Sequence, residues 1–161
     1  MTQDELRMAI SYDKETGVFR WLVSRGRAGK GTVAGCEAVL SGKKYRLIGI
    51  FGQMLLAHRL AWFYMTGEWP KEIDHRDGDG LNNAWRNLRE ATRTQNNANT
   101  GVRKDNTSGF KGVYEQLPGR YRAQIQVNDK RIYLGIFDSQ DDARDAYWRA
   151  AEHYFGEFAK A

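Results

Sequence analysis

A polar stretch after the middle of the chain limits how this sequence can fold. Residues 99–108 contain almost nothing to bury, so they predict a linker or an extended arm. The segments on either side must then bury their own apolar residues. With 161 residues, 41% of them apolar, the chain has room for one ordinary domain or two to three very small ones.

The segment before the linker begins with short β-prone pieces. Within residues 1–57 such pieces occur at 18–23 and 45–50, and glycine-rich basic turns separate them, which predicts an antiparallel β-meander. Over residues 55–65 the apolar positions recur at helical spacing instead. A helix is therefore expected directly after the meander.

A strand, a loop and a second helix are expected next. A very short apolar piece ends in Ile73-Asp74-His75, and a polar loop follows over residues 76–83. Thr92 and Gln95 have the spacing of a capping box, in which each side chain bonds the other residue's backbone. The helix should thus begin just after Thr92 and carry Asn96 in its first turn.

The segment after the linker has a different pattern. Three β-prone runs, at 110–116, 120–127 and 131–137, are separated by short turns. Ser139 and Asp142 form another capping box, and the apolar residues that follow fall on one helical face. We predict three antiparallel strands packed on one helix.

The cysteine and histidine content limits the metal chemistry. Cys36 is the only cysteine, which rules out an internal disulfide and a thiolate-rich structural zinc site. With three histidines in the chain, a bound metal must be held mainly by oxygen, which favours a hard cation such as Mg²⁺. No apolar run approaches the roughly 20 residues of a membrane span, and the N-terminus lacks a signal pattern. We expect a cytoplasmic protein with no membrane partner.

The charge distribution indicates which parts can bind a polyanion. The formal charge is +5 and the isoelectric point near 9.4, which agrees with such a partner without demanding one. Residues 1–57 carry nine basic against five acidic residues, residues 58–100 carry six of each, and residues 109–134 carry five against two. Affinity for a polyanion should therefore come from the segments flanking 58–100.

Three polar residues have the chemistry for cleaving a phosphodiester bond. The reaction needs a base for the attacking water and a cation to absorb charge on the phosphate and the leaving oxygen. Neighbouring strand residues point to opposite faces, so Asp74 can ligate a metal while His75 faces the water. The amide oxygen of Asn96 can supply a second ligand, in a site with few protein ligands of the kind Mg²⁺ prefers.

The same segment resembles the HNH nucleases found in phage-borne and intron-borne homing endonucleases. The resemblance covers roughly residues 1–100 and implies a ββα-metal fold with one divalent ion, Mg²⁺ or Mn²⁺, per site and no small-molecule cofactor. It implies that Asp74 ligates the metal, His75 is the general base and Asn87 braces the loop and the base. Asn96 takes the place of the usual final histidine, as in the known His-Asn-Asn variant. The motifs that carry it are His58-Arg59-Leu60-Ala61-Trp62, Ile73–Asp79, Asn83, Asn87-Leu88-Arg89 and Thr92–Asn99.

The last segment resembles the APETALA2-type DNA-binding domain. The shared motifs are Gly109–Tyr114, Tyr121–Ile125, Tyr133–Phe137 and Asp142–Ala151. That family reads DNA through outward positions of its three strands, where arginine can read guanine and glutamine adenine. Alternation in the second run adds Arg122 to the outward face. The expected DNA contacts are Lys111, Tyr114, Gln116, Arg122, Gln124, Gln126, Arg131 and Tyr133, with Arg59 and Arg93 outside this module.

Together these patterns predict an α+β chain of four parts. They are a β-rich DNA-positioning region at 1–57, an HNH core at 58–100, a linker at 101–108 and an APETALA2-type domain at 109–161. The main hypothesis is a sequence-preferring, homing-type endonuclease that nicks or cuts double-stranded DNA in a bacterial or phage-infected cell. The alternatives are a DNA-binding regulator with a non-catalytic HNH fold and, with less support, a structural or RNA-directed protein. Monomer and dimer both stay open, with the monomer favoured.

Overall fold

The computed structural model describes residues 1–102 and 105–160, so Arg103 and Lys104 of the predicted linker lie outside the described residues, as does Ala161. In this part of the chain ten strands form four antiparallel sheets and alternate with four α-helices, which confirms the predicted α+β class. The chain divides into two compact units, Met1–Ala91 (unit 1) and Thr92–Ala161 (unit 2). No helix within the described ranges is both long and apolar enough to cross a bilayer.

Unit 1 begins with a helix that sequence analysis did not predict. Thr2 caps helix α1 through a capping box with Glu5, a local helix signal inside the segment predicted to be β-rich. A hairpin and a three-stranded meander, in the order β3-β4-β5, follow as expected. The elements are α1 (Gln3–Ala9), β1 (Ile10–Asp13), β2 (Val18–Trp21), β3 (Cys36–Leu40), β4 (Lys43–Ile50) and β5 (Gln53–Leu56).

The second half of unit 1 contains the motif strands. Helix α2 ends at Gly67, whose left-handed conformation (φ 80°) suits a residue without a side chain. After it, β6 pairs antiparallel with β7, and a 3-10 helix directly precedes β7. The core that supports them includes Phe19, Ile48 and Leu60, all fully buried. The elements are α2 (Ala57–Thr66), β6 (Ile73–His75), the 3-10 helix Trp85–Asn87 and β7 (Leu88–Glu90).

The polar loop between β6 and the 3-10 helix is held closely by its surroundings. A Cβ atom on Gly80 would lie 2.4 Å from the backbone oxygen of Lys44, and one on Gly17 would lie 2.2 Å from the backbone carbon of Asn83. The hydroxyl of Tyr12 also donates to the Asn83 carbonyl at 2.7 Å. These close approaches fix the loop against β4 and the first hairpin.

Unit 2 contains the predicted three-stranded sheet and its helix. The strand order is β10-β9-β8, and Ala143 of α4 packs against Val113 and Ala123 of the sheet. Helix α3 also belongs to this unit and packs against α4 and the last 3-10 helix, whereas the sequence placed it in the 58–100 core. The elements are α3 (Arg93–Ala98), β8 (Val113–Leu117), β9 (Arg120–Val127), β10 (Lys130–Phe137), α4 (Gln140–Phe155) and the 3-10 helix Gly156–Phe158.

The end of the predicted linker is folded rather than extended. The Ser108 hydroxyl lies 2.7 Å from the carbonyl oxygen of Val113, and the side-chain amide of Asn106 donates to the carbonyl of Phe110 at 2.9 Å. Short polar side chains of this kind satisfy loop backbone groups without needing an apolar core. Residues 106–108 are therefore part of unit 2.

Candidate active site

Strand β6 gives Asp74 and His75 different neighbours. Asp74 lies opposite Arg89 in the β6–β7 register, and Arg89 donates to Asp74 Oδ2 from Nε at 2.8 Å and from Nη2 at 2.7 Å. Both side chains are only 7% exposed, so the carboxylate is buried together with a compensating cation. Sequence analysis quoted Arg89 within a motif but assigned it no role.

The ring of His75 is oriented by Asn83. His75 Nε2 lies 3.1 Å from Asn83 Oδ1, while Asn83 Nδ2 donates to the carbonyl of Leu81 at 3.2 Å. Because the amide nitrogen bonds Leu81, the amide oxygen faces the ring, and this hydrogen-bond network assigns the ring proton of His75 to Nε2. Nδ1 is then the nitrogen with the basic lone pair. Asn83, 1% exposed, is a site residue to which sequence reasoning gave no function.

A second histidine packs against His75. The ring of His58, at the start of α2, meets the His75 ring edge-to-face with centroids 4.8 Å apart, and Tyr45 lies beside both rings. Burial lowers the pKa of His58 to about 3, with smaller contributions from the charges of His75 and Arg59. Burial also lowers the pKa of His75, against the opposing effects of the Asn83 bond and nearby carboxylates. Both imidazoles are therefore neutral at neutral pH.

Asn87 holds the polar loop together. Its Nδ2 donates to Asp77 Oδ1 at 3.0 Å and to the Asn82 carbonyl at 2.7 Å, and its Oδ1 accepts from the Asp77 backbone amide at 3.1 Å. This is the placement expected of a residue that braces the loop. The side chain that bonds the His75 ring at Nε2 is Asn83, so an influence of Asn87 on His75 passes through the loop.

The other residues of the first hundred positions that are predicted to bind metal or DNA lie in different settings. Arg59 donates to the carbonyls of Pro70 at 2.7 Å and Lys71 at 2.9 Å, so its guanidinium secures the turn that leads into β6. Asn96 and Arg93 lie on α3 in unit 2, where Arg93 is exposed and Asn96 is half-buried. Their roles in metal and DNA binding stay predictions.

Each of the two predicted metal ligands carries an oxygen atom of the kind that a hard divalent cation prefers. The described residues contain no group of three or more His, Cys, Asp or Glu side chains arranged to hold a metal. Asp74 and Asn96 instead offer one carboxylate and one amide oxygen, and Mg²⁺ commonly takes few protein oxygens and completes its shell with water and phosphate oxygens. Neither residue supplies the soft ligands that zinc prefers in structural sites.

Unit 2 presents a polar sheet face opposite α4. Three pairs of register partners lie on this face, because residues directly opposite each other on paired strands point the same way. Ala123 and Ile125 point to the other side and are buried. Gln116 is exposed at the irregularity where the β8–β9 register shifts. The face pairs are Tyr114 with Arg122, Gln124 with Tyr133, and Gln126 with Arg131.

Arg122 and Tyr133 form the centre of this face. The guanidinium carbon of Arg122 lies 5.3 Å from the centroid of the Tyr133 ring, a cation–π arrangement, although 55% of Tyr133 is exposed. Arg122 Nε is buried and has no hydrogen-bond partner among the described residues. A buried donor of this kind is costly unless a ligand satisfies it.

The Lys111 side chain is directed at the end of α3. Its ammonium donates to the backbone carbonyls of Asn97, Ala98 and Thr100 at the end of α3. A cavity of about 510 Å³ in unit 2 is lined by Lys111 and by residues of both α3 and the sheet face, among them Gln126 and Arg131. The DNA contact expected for Lys111 stays a prediction, but its donors already have partners within the chain.

Comparison with known proteins relates part of the chain to nucleases. Residues 55–98 match the family model described as HNH endonuclease. The chain is 34% identical over 110 residues to an uncharacterized HNH endonuclease of Acanthamoeba polyphaga mimivirus, an alignment that covers 67% of this chain and 57% of that protein. It is 33% identical over 108 residues to Protein 3.8 of Escherichia phage T7, covering 64% of this chain and 87% of that protein.

A further similarity involves a plant protein, and no solved structure matches the chain. An AP2/ERF and B3 domain-containing transcription factor of Arabidopsis thaliana is 50% identical over 38 residues, which cover 24% of this chain and 11% of that protein. This match is too short to assign a domain. The motif strand β6, the loop and α3 all lie within the segment 55–98 matched by the nuclease model. Residues 55–98 of the chain are therefore similar to the HNH endonuclease family.

Proposed function

We propose that this protein is a metal-dependent endonuclease that hydrolyses phosphodiester bonds in double-stranded DNA, with His75 as the general base. The observation that carries the proposal is the pair of hydrogen bonds made by Asn83. They support a tautomer of His75 in which Nε2 carries the proton and Nδ1 has the basic lone pair. A neutral imidazole held in one tautomer is suited to accept a proton from water.

The surroundings of His75 suit it to hold that proton. When Nδ1 accepts a proton from the attacking water, the ring becomes a cation, and Asn83 Oδ1 continues to accept from Nε2. The carboxylates of Asp74, Asp77 and Asp79 act on His75 in the direction that favours its charged form. The charge that develops on the base during the reaction is therefore stabilised by groups already in place.

Asp74 and Asn96 are the proposed metal ligands. A bound Mg²⁺ or Mn²⁺ would supply positive charge for the phosphate and the leaving oxygen. The guanidinium of Arg89 is paired with the buried carboxylate of Asp74, the proposed oxygen ligand. Asn87 braces the loop that follows β6. It thereby limits movement of the strand end that carries Asp74 and His75.

The outward face of the β8–β10 sheet is the proposed DNA-reading surface of an APETALA2-type domain. Arg122 and Arg131 can read guanine, and the face glutamines can read adenine in the major groove. The buried, unsatisfied Nε of Arg122 supports a ligand at this face. Exposed Arg93 is a proposed phosphate contact, whereas the guanidinium of Arg59 already donates to two carbonyls. We propose a sequence-preferring, homing-type activity on this basis.

A second candidate is a DNA-binding regulator with a non-catalytic HNH fold. The observation that favours it is the Arg89 pair, because both guanidinium donors take the same oxygen of the proposed ligand Asp74. In that case the protein binds DNA through unit 2 and leaves the strands intact. The two candidates differ in whether added metal produces broken phosphodiester bonds.

Cleavage of supercoiled plasmid separates these candidates. Purified protein is incubated with plasmid in Mg²⁺, in Mn²⁺ and in EDTA, alongside the His75→Ala variant. His153→Ala is the matched control, because His153 is an exposed histidine at the end of α4. We expect open-circle or linear product with the unaltered protein and the control in metal, and none with His75→Ala or in EDTA.

DNA affinity measured on the same variants completes the test. His75→Ala should bind DNA nearly as well as the unaltered protein, since the proposed base contributes to chemistry rather than to binding. Cutting by His75→Ala at the normal rate would remove His75 as the base. Cutting in EDTA would contradict metal dependence, and binding without any cutting would favour the regulator.

A further inference from the structure

Helix α3 is too short to be stable by itself. It has six residues, Arg93–Ala98, whereas isolated helices shorter than about 12–15 residues are marginal in water. Its N-terminus is secured by Thr92, whose hydroxyl accepts from the Gln95 amide at 3.2 Å while Gln95 accepts from the Thr92 amide at 2.7 Å. The last carbonyls of the helix take donors from outside it, and the Asn97 carbonyl accepts from the amide and the hydroxyl of Thr100. A further donor comes from the loop before β8.

Lys111 supplies that donor. Its Nζ lies 3.4 Å from the Asn97 carbonyl oxygen and 2.8 Å from that of Thr100, and it bonds the Ala98 carbonyl as well. An ammonium group has three hydrogens to donate, so three carbonyls can use them all. Positive charge at a helix C-terminus is also favoured by the helix dipole.

The backbone beside Lys111 is fixed to the sheet. The amide of Gln124 in β9 donates to the carbonyl of Gly112 at 2.9 Å. Gly112 has φ 69°, and a Cβ atom there would lie 2.4 Å from the Gln124 carbonyl oxygen and from the Tyr147 ring. Only glycine allows the chain to approach β9 this closely. Lys111 therefore connects α3 to a point that is itself anchored on the central strand.

We infer that Lys111 is a positioning residue that fastens α3, the helix carrying Asn96, to the three-stranded sheet, and that it is not a DNA contact. The part concerning Asn96 rests on the proposed function, in which that residue is a metal ligand. The sheet thereby has two roles in one unit. Its outward face is the proposed DNA-reading surface. Lys111, just before β8, holds α3 in its folded form.

Two variants and a control test this inference in the full-length protein. Lys111→Met keeps the length of the side chain and removes the donors. Lys130→Met makes the same charge change at an exposed lysine in β10. Thr92→Ala loosens α3 from its other end without any charge change. Hydrogen exchange of the α3 amides, DNA affinity and the single-turnover cleavage rate at saturating DNA are measured for each.

We expect Lys111→Met to speed exchange of the α3 amides by about 10-fold or more while β9 stays protected, as loss of one set of capping bonds should open the helix locally. Thr92→Ala should act in the same direction. Both variants should cut more slowly at saturating DNA, by about 10-fold. DNA affinity should fall no more for Lys111→Met than for Lys130→Met.

Two results would overturn the inference. One is unchanged α3 exchange in Lys111→Met. The other is a loss of DNA affinity well beyond that of Lys130→Met together with a normal rate at saturating DNA, which would make Lys111 a DNA contact. If the unaltered protein proves inactive, the proposed function fails, but amide exchange and DNA affinity still decide the role of Lys111. Protection of the β9 amides shows in every case whether the variant has folded.

Discussion

Replacing His58 with glutamine should make unit 1 less sensitive to acid. The folded-state pKa of His58 is about 3, against an ordinary value of 6.5, because burial disfavours the charged imidazole. Below pH 6.5 the unfolded chain takes up a proton at His58 and the folded protein does not. The stability that His58 contributes is therefore fully present above pH 6.5 and is lost as the pH falls from there toward 3.

The size of the effect follows from the distance between the two pKa values. A pH of 5.0 is 1.5 units below the ordinary pKa that His58 has in the unfolded chain and well above its pKa in the folded protein. The free energy of unfolding should therefore fall by about 2 kcal/mol between pH 7.5 and pH 5.0. Glutamine is polar but does not titrate, so the variant lacks this term. His75 titrates in the same direction in both proteins, so the difference between them reports on His58 and on its coupling to His75.

Urea unfolding at the two pH values, in EDTA, measures this difference. Four of the five tryptophans lie in unit 1, so a Trp148→Phe background makes fluorescence report on that unit. The Trp148→Phe protein with His58 intact is the parent. Between pH 7.5 and 5.0 its free energy of unfolding should fall by about 2 kcal/mol more than that of the His58→Gln variant. A His153→Gln control, at an exposed histidine, should behave as the parent. Equal losses in the parent and in His58→Gln would show that His58 is not held neutral by burial.

Three other substitutions test separate parts of the structure. Asn83→Ala removes the acceptor for His75 Nε2, and the single-turnover cleavage rate should fall about 10- to 100-fold with little change in DNA affinity; an unchanged rate would show that the bond does not orient the base. Arg89→Met should destabilise unit 1 by about 3–5 kcal/mol in urea unfolding, because it removes the cation paired with buried Asp74. Adding Asp74→Asn should restore part of this loss, and no recovery would show that the ion pair is not the cause. Arg131→Ala should weaken DNA binding by about 1–3 kcal/mol in a mobility-shift titration if it makes a bidentate base contact, and no change would exclude it from the reading face.

The elements that sequence analysis predicted well are those with local signals. The capping box of Thr92 and Gln95 predicts the start of α3, and alternation in 120–127 places Ala123 and Ile125, the two buried residues of β9, on the side opposite Arg122. Such signals depend on residues two to four positions apart, so they are present in the sequence whatever the rest of the fold does. The Thr2–Glu5 box of α1 belongs to the same class and was detectable in principle.

The contacts that complete the site are of another kind. Arg89 bonds Asp74 across the β6–β7 pair. The His58 ring contacts the His75 ring, although His58 lies on α2, 17 residues earlier in the chain. Neither pairing has a spacing rule, because it depends on how β6, β7 and α2 pack. A motif match can assign Asp74 and His75 their chemistry, but only the packed structure shows which side chains tune them.

A basic side chain contributes less to DNA binding when its donors are already used within the fold. Arg59 and Lys111 were both expected to contact DNA, yet each directs its cation at backbone carbonyls of its own unit. A cation whose donors are already satisfied gains little from a phosphate unless it gives up those bonds, so it contributes less to affinity than its charge suggests. Arg122 differs, since its Nε is buried and has no partner among the described residues. DNA recognition by unit 2 should therefore depend on Arg122 and Arg131, while Lys111 acts on the helix that carries Asn96.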